Sequence, residues 1–434
     1  RRLGVRAAAL TSLTPKEEQQ ATFRAMDDPD SGLLLLYVTP ERIASSKRFL
    51  GKLDKMYHAG RLGRVAVDEA HCCSQWGNDF RPDYKKLGVL KQQFPQTPLL
   101  ALTATATQRV CSDLKEILGI DGCELFRKSI NRPNLFYEIA PKPASAAEQV
   151  QLLLDWIQRH YSGQDSGIVY CLTQKDTEQM AARLQTAGLS AGCYHANMDP
   201  ALRQHVHTMW SEGELQIITA TIAFGMGINK PNVRFVIHET LSKSLENYYQ
   251  ESGRAGRDGR PARCLLLYRF SDIPRQASLV CLEPRWEHNL RQVMLYAGNS
   301  STCRRAVLAM HFGEAPSECN GMCDVCAARY PFSDKPERDI TAEGQAVLRT
   351  LVAQQQLQKK CTLLQLWERW RSSKAAGDAK LAKGLGREGA EKVVAQLMYN
   401  SFLEFEFGYT AYATTAYLCC SSKAVLLLNG KAPL

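Results

Sequence analysis

Two acids and a histidine stand at the end of a short apolar run, Arg64-Val65-Ala66-Val67-Asp68-Glu69-Ala70-His71. Such a run reads as a buried strand, and the C-terminal end of a strand is where open α/β sheets bind ligands. There Asp68 can help to hold Mg²⁺, Glu69 can polarise an attacking water, and His71 can sense a phosphate or link to a neighbouring segment. A lone Asp-Glu pair would more simply be two solvated acids. Leu102-Thr103-Ala104-Thr105-Ala106-Thr107 changes that reading, because it is a second strand end whose hydroxyls can bond back toward the acids. Further on, Gln250-Glu251-Ser252-Gly253-Arg254-Ala255-Gly256-Arg257-Asp258 leaves a helix for a loop. Arg254 and Arg257 there can reach a nucleotide held by another block, with Gln250 sharing the contact. An arginine placed on transition-state charge is worth roughly 10³–10⁵ in rate.

Three further sets carry chemistry of other kinds. Trp76, Phe80 and Arg81 lie among Gly, Asn and Asp just after His71. Aromatic faces in a polar loop suit stacking on bases, and Arg81 suits a phosphate. Cys319, Cys323 and Cys326, with Cys303 upstream, have the spacing and donor set of a tetrahedral Zn²⁺ site. Four thiolates leave no open position, so that site reads as structural. Near the C-terminus Lys380, Lys383, Arg387 and Lys392 lie before and on a helix that could approach phosphates. Phe407 and Tyr409 flank Gly408, read as a hairpin turn, where an aromatic could stack on a terminal base pair as a wedge. Phe405 points to the core by alternation.

The elements that must position these residues alternate in type. Strands are expected at 33–38, 64–67, 98–102, 167–172, 191–194, 215–220, 233–238 and 264–268. Helices are expected at 41–59, 108–118, 175–187, 200–212 and 244–252. Short, nearly all-apolar strands between helices imply parallel sheets covered on both faces. Two such blocks meet near Asn131-Arg132-Pro133-Asn134. A helical segment over 286–326 carries the cysteines. After a Pro-containing linker come helices at 340–356, 363–371 and 389–401, with a loop at 377–389. A strand pair at 404–407 and 409–415 closes the pattern of a winged helix. The expected divisions are 1–132, 133–285, 286–336 and 337–434.

At 434 residues the chain suits three or four domains, and 45% hydrophobic content suits packed cores rather than a disordered tail. Lys and Arg exceed Asp and Glu by 54 to 44, which permits a polyanionic partner without requiring one. The 15 cysteines are dispersed over a long chain, as in a reducing compartment. No apolar run approaches the roughly 20 residues that cross a bilayer.

In order, these motifs resemble those of the RecQ family of superfamily 2 helicases, together with Ile168-Val169-Tyr170-Cys171 and Ala223-Phe224-Gly225-Met226-Gly227-Ile228. The hairpin Tyr409-Thr410-Ala411-Tyr412-Ala413-Thr414 resembles the short, core-only subgroup. The resemblance covers essentially the whole chain. It implies an α/β fold of two RecA-like domains, then a zinc-binding helical domain and a winged helix. It implies 3′-to-5′ unwinding of DNA driven by ATP with Mg²⁺, and single-stranded, forked or duplex DNA as partner. Repair, recombination or replication in the nucleus would be the setting. It assigns Asp68, Glu69, His71, Gln250, Arg254 and Arg257 to hydrolysis, and Gly227 and Asn229 to nucleotide contact and domain coupling. Trp76, Phe80 and Arg81 would couple DNA to ATP. Two positions depart from the family pattern: Asn78 stands where the family usually has His, and Asn229 where it often has Asp.

No Gly-x₄-Gly-Lys-Ser/Thr occurs in the sequence, and Gly51-Lys52 and Gly430-Lys431 lack both the upstream Gly and the following hydroxyl. Backbone N–H groups of such a loop hold nucleotide phosphates. The family places this loop before the position where the chain begins, so the first domain is expected to be incomplete, with uncovered strand edges, and inactive alone. The rival reading is a DNA-binding or strand-annealing module without hydrolysis; a weaker one is a protein-interaction scaffold.

Overall fold

Four short apolar runs make the strands of the first unit: β1 (Ala7–Leu10), β2 (Leu35–Val38), β3 (Val65–Val67) and β4 (Leu99–Ala101). The computed structural model describes residues 4–12, 14–75, 80–104, 107–222, 224–225, 228, 230–328, 338–373 and 377–434. The chain divides into two units, Arg1–Ile130 with His311–Glu314 and Asn131–Met310 with Ala315–Leu434.

In the first unit β1 pairs with β2 and β3 with β4, both parallel, and the two pairs form separate sheets. Leu34 and Tyr37 are 78% and 61% exposed, so the β2 region is incompletely covered. The core is Leu10, Phe23, Met26, Phe49, Leu53, Val67, Leu114 and Leu118 with their neighbours. The single helix expected over 41–59 is two helices, Pro40–Ser45 and Lys47–His58. Ser46 explains the break: its hydroxyl accepts the Phe49 amide at 3.2 Å and caps the second helix. Helix Gln108–Leu118 has the expected bounds, with Thr107 as its cap.

The second unit holds β5 (Leu135–Pro141), β6 (Ser166–Tyr170), β7 (Ala191–Tyr194), β8 (Ile217–Ala220), β9 (Val233–His238) and β10 (Ala262–Tyr268). They form one parallel sheet in the order β5-β10-β9-β6-β8-β7. Every residue of β6 is buried, which accounts for its unbroken apolar run. A Cβ at Gly167 would lie 1.9 Å from the Phe235 ring, so only glycine lets β9 pack there. The sequence reading missed β5 and helix Ala146–His160. Their signals were present: Ser145 accepts the Glu148 amide as a cap, and Val150, Leu153, Trp156 and Ile157 make a buried stripe.

Helices Trp286–Gly298, Arg304–His311 and Asp324–Ala327 follow. Then come Thr341–Gln356, Leu363–Arg371 and Asp378–Tyr399, before β11 (Leu403–Tyr409) and β12 (Thr414–Cys420). These helices and the antiparallel β11–β12 hairpin form the expected winged helix. Most of the expected loop at 377–389 is instead helical, interrupted at Gly386, whose φ of 65° breaks the helical path. The hairpin turn is also displaced from the expectation. Gly408 pairs with Thr415 inside the ladder, and the turn is residues 410–413.

Candidate functional site

Strand β3 carries Asp68 and Glu69 to its C-terminal end. Glu69 has φ of 49°, a left-handed conformation that a non-glycine residue adopts at some cost, often at a working site. The Asp68 carboxylate accepts the Glu69 amide at 2.9 Å, which supports this turn. His71 is buried; its Nδ1 lies 3.0 Å from the Thr103 hydroxyl and 3.4 Å from a Glu69 carboxylate oxygen. Acids, histidine and the strand end after β4 therefore make one connected polar set. Backbone bonds reinforce it: Leu102 donates to the Val67 carbonyl and Ala70 to the Leu102 carbonyl, both at 2.8 Å.

The loop after His71 is anchored at both ends. The Arg81 amide donates to the Cys72 carbonyl at 2.9 Å, and the Cys73 thiol reaches the Tyr84 carbonyl at 3.4 Å. Phe80 and Arg81 are partly exposed where the loop rejoins a short helix. Trp76 and Asn78 lie outside the described residues, as do Thr105, Gly227 and Asn229.

In the second unit, helix Leu245–Ser252 presents the arginine loop. Gln250 is partly exposed on this helix. Arg254 is buried and donates to the Gly225 carbonyl, while Arg257 Nη1 donates to the Ile228 carbonyl at 2.7 Å. Both guanidiniums thus brace the segment after β8. Two residues from the junction before β5 hold the loop itself. Arg132 donates to the carbonyls of Gly253, Ala255 and Gly256 at 2.9–3.2 Å, and Asn134 donates to those of Gly256 and Arg260 at 2.8 and 2.9 Å. Gly256 has φ of 56°, and a Cβ there would lie 2.4 Å from the Asn134 amide nitrogen. Below the loop, buried Glu251 takes His238 Nε2 at 2.9 Å and the Ser242 hydroxyl at 2.6 Å, fixing the helix to β9. Asn131-Arg132-Pro133-Asn134 was visible in the sequence only as a joint; its part in holding the arginines needed the structure.

The Sγ atoms of Cys303, Cys319, Cys323 and Cys326 all lie within 4.8 Å of one another, and those of Cys303 and Cys323 are 3.9 Å apart. Zn–S bonds of about 2.3 Å in a tetrahedron require S···S separations of about 3.8 Å, so the set fits zinc. The sequence reading missed the support beside it. Arg304 grips Asp324 with two bonds, at 2.9 and 3.1 Å, and the same carboxylate accepts the Ile139 amide at 3.0 Å. The clue was an acid set between two ligating cysteines.

The hairpin places both aromatics of the expected wedge within the ladder. Phe407 pairs with Ala416 inside the ladder and meets Trp286 edge-on at 5.1 Å between ring centroids, so it packs inward. Tyr409 ends the ladder opposite Thr414, its hydroxyl 4.0 Å from the Cys281 sulfur. The aromatic at the tip is Tyr412, 99% exposed. The Thr410 hydroxyl accepts the amides of Tyr412 and Ala413 at 3.3 and 3.0 Å, giving the tip a defined shape. Lys392 pairs with Glu388 at 2.9 Å on an exposed helix face, and Arg387 with Glu391 at 3.0 Å. Among the described residues no helix is long and apolar enough to cross a membrane.

Comparison with known proteins agrees with this arrangement. Residues 2–114 match the DEAD/DEAH box helicase model, 148–259 the helicase conserved C-terminal domain, and 271–327 the RecQ zinc-binding model. The chain is 48% identical over 433 residues to ATP-dependent DNA helicase Q1 of Rattus norvegicus, covering 98% of this chain and 69% of that one. It is 46% identical over 429 residues to ATP-dependent DNA helicase Q-like 2 of Arabidopsis thaliana, covering 99% of this chain and 60% of that one. It is 36% identical over 466 residues to RecQ-like DNA helicase BLM of Xenopus laevis, covering 99% of this chain and 33% of that one. The chain thus spans only part of the length of each. With both helicase models and the cysteine module in one order, the chain belongs to the RecQ family of DNA helicases.

Proposed function

We propose that this chain serves an ATP-driven, 3′-to-5′ DNA-unwinding motor, its parts divided near residues 132, 285 and 336. The observation that carries the reading is the 3.0 Å contact between His71 and Thr103, which ties the acid-bearing strand end to its neighbour. Bound magnesium–ATP supplies the phosphoryl group that is hydrolysed. Asp68 would hold the magnesium ion, and Glu69 would orient the attacking water. Arg257 meets the developing charge, while Arg254 and Gln250 serve the contact between the two RecA-like blocks. Gly227 and Asn229 complete the nucleotide contacts. Trp76, Phe80 and Arg81 couple a bound single strand to hydrolysis, and Lys392 adds a duplex phosphate contact. Tyr412, rather than Phe407 or Tyr409, stacks on the last base pair of the duplex. Nuclear repair, recombination or replication is the setting, and repair or replication proteins are the partners that fit it.

Because no Gly-x₄-Gly-Lys-Ser/Thr string occurs in these 434 residues, binding and hydrolysis can be tested separately. This chain alone should bind single-stranded and forked DNA yet release no phosphate from ATP, with or without single-stranded DNA. Phosphate release stimulated by single-stranded DNA would overturn this separation of binding from hydrolysis; absence of DNA binding would overturn the motor reading. A second reading is an annealing module, which the cysteine site, the winged helix and the excess of Lys and Arg would serve without hydrolysis. Faster pairing of complementary single strands without ATP would support it.

A further inference from the structure

Beside the hairpin tip, the second unit contains an open groove of about 590 Å³. Ser271, Arg275 and Leu279 line one side of it, and Leu364, Arg387 and Thr415 another; Tyr412 stands at its margin. No carboxylate lines it among the described residues. Arg275 bonds Asp176 and Thr173 through Nη2 alone, and Arg387 bonds Glu391 through Nε alone. Each guanidinium is therefore oriented by an acid on one edge and keeps two further nitrogens for a ligand. Both side chains are more than half exposed, at 56% and 59%. Forked arginine donors, hydroxyls and an apolar floor next to an exposed aromatic are the features of a site for single-stranded nucleic acid.

We propose that this groove takes the single-stranded arm of a fork that the motor does not pull, an inference that rests on the fork-opening reading above. A pulled strand must engage both RecA-like blocks in turn. The groove is built from the second unit alone, between helix Ile273–Val280 and the winged helix, so it suits the other arm. That arm leaves the duplex at Tyr412 and meets Arg275 and Arg387 by its phosphates. The contacts are to backbone and apolar surface, so the groove is indifferent to sequence.

The test uses this 434-residue chain and two fluorescein-labelled probes read by anisotropy. One is a duplex with a single 3′ tail; the other adds a 5′ arm of about 15 thymidines. The fork should bind about tenfold more tightly than the tailed duplex, two charge-assisted phosphate contacts being ample for this difference. Arg275→Ala with Arg387→Ala should remove that advantage and weaken the tailed duplex much less. It should also make the salt dependence of fork binding shallower by about two units of slope. Arg275→Lys with Arg387→Lys, which keeps the charge, should retain much of the advantage. An equal loss on both probes, or an undiminished fork advantage in the alanine variant, would overturn the groove assignment alone. If the unsubstituted chain binds neither probe, the fork-opening reading falls with it.

Discussion

His71 Nδ1 lies 3.0 Å from the Thr103 hydroxyl, so two strand ends 32 residues apart in sequence share a side-chain hydrogen bond at the C-terminal edge of the β3–β4 sheet. Thr103→Val keeps the shape and removes the hydroxyl, leaving buried His71 without that partner. The expected cost is about 1 kcal/mol, the usual net value of such a bond. Thr103→Ser should cost less than half as much. Urea unfolding followed by a probe in the first unit measures both. Equal losses in the two variants would mean that the methyl group, not the bond, holds the strand ends together.

The hairpin separates packing from recognition within a few residues. Phe407 sits edge-on against Trp286 and is partly buried, whereas Tyr412 is 99% exposed. Phe407→Ala should therefore destabilise the winged helix by about 2 kcal/mol through lost apolar area and ring contact. Tyr412→Ala should leave thermal stability within about 0.5 kcal/mol of the parent. It should instead weaken fork binding by about 1–3 kcal/mol, the range for one base–aromatic stack, with Tyr412→Phe close to the parent. A fork affinity that follows Phe407 and ignores Tyr412 would restore the wedge to the ladder.

Why the sequence located the cysteine cluster but misplaced the hairpin turn is a matter of range. Arg254, Arg257 and the four zinc cysteines sit in strings whose local spacing already implies their chemistry. The helix Gln108–Leu118 and strand β9 have bounds set by a cap and by an apolar run, and both agree with the reading. The hairpin turn depends on register across two strands, and Gly408 offered a local turn signal that the Phe407–Ala416 and Tyr409–Thr414 pairs override. The Gly377–Gly389 stretch failed in a similar way. Its glycines lower helix propensity, yet buried Asp378, paired with Arg349 at 2.7 Å, and buried Ala382 hold the helix by tertiary contact. Arg132 and Asn134 hold a loop more than 110 residues away, as Arg132 and Gly253 are 121 apart. No window of sequence displays such a pairing.

The zinc segment is fastened to the edge of the six-stranded sheet. On β5, the Ile139 amide donates to Asp324 at 3.0 Å and the Tyr137 amide to the Met322 carbonyl at 3.4 Å. One zinc per chain is expected by metal analysis of the reduced protein, and Cys323→Ser should release it. A chelator should then speed amide exchange at Ile139 and Tyr137 while leaving central β6 protected, since local opening follows the elements that lose support. Asp324→Asn should speed Ile139 with the zinc retained. Exchange at β5 that is indifferent to metal would mean that the cysteine segment stands without it.

A buried ion cluster at the end of the same sheet links stability to pH. Lys142 Nζ lies 2.8 Å from Glu239 and 2.7 Å from Asp272, with Lys142 only 7% exposed. Burial pushes the Glu239 carboxyl up from its ordinary value, with nearby Asp272 and Asp176 adding to the rise and Lys142 opposing it. Arg269 also pairs with Asp272, at 2.7 Å. A carboxyl whose folded pKa is raised binds its proton more tightly in the folded state. Its ionisation therefore costs stability as pH rises through that pKa, and the cost disappears once pH falls below the ordinary carboxyl value. Lys142→Met removes the main opposing cation and leaves two carboxylates facing each other, a loss of about 3–5 kcal/mol at neutral pH. Urea midpoints at about pH 7.5 and about pH 5 should show the deficit relative to the parent shrinking on acidification, as Glu239 takes up its proton. A deficit that is the same at both pH values would assign the loss to packing of the lysine stem rather than to the unpaired acids.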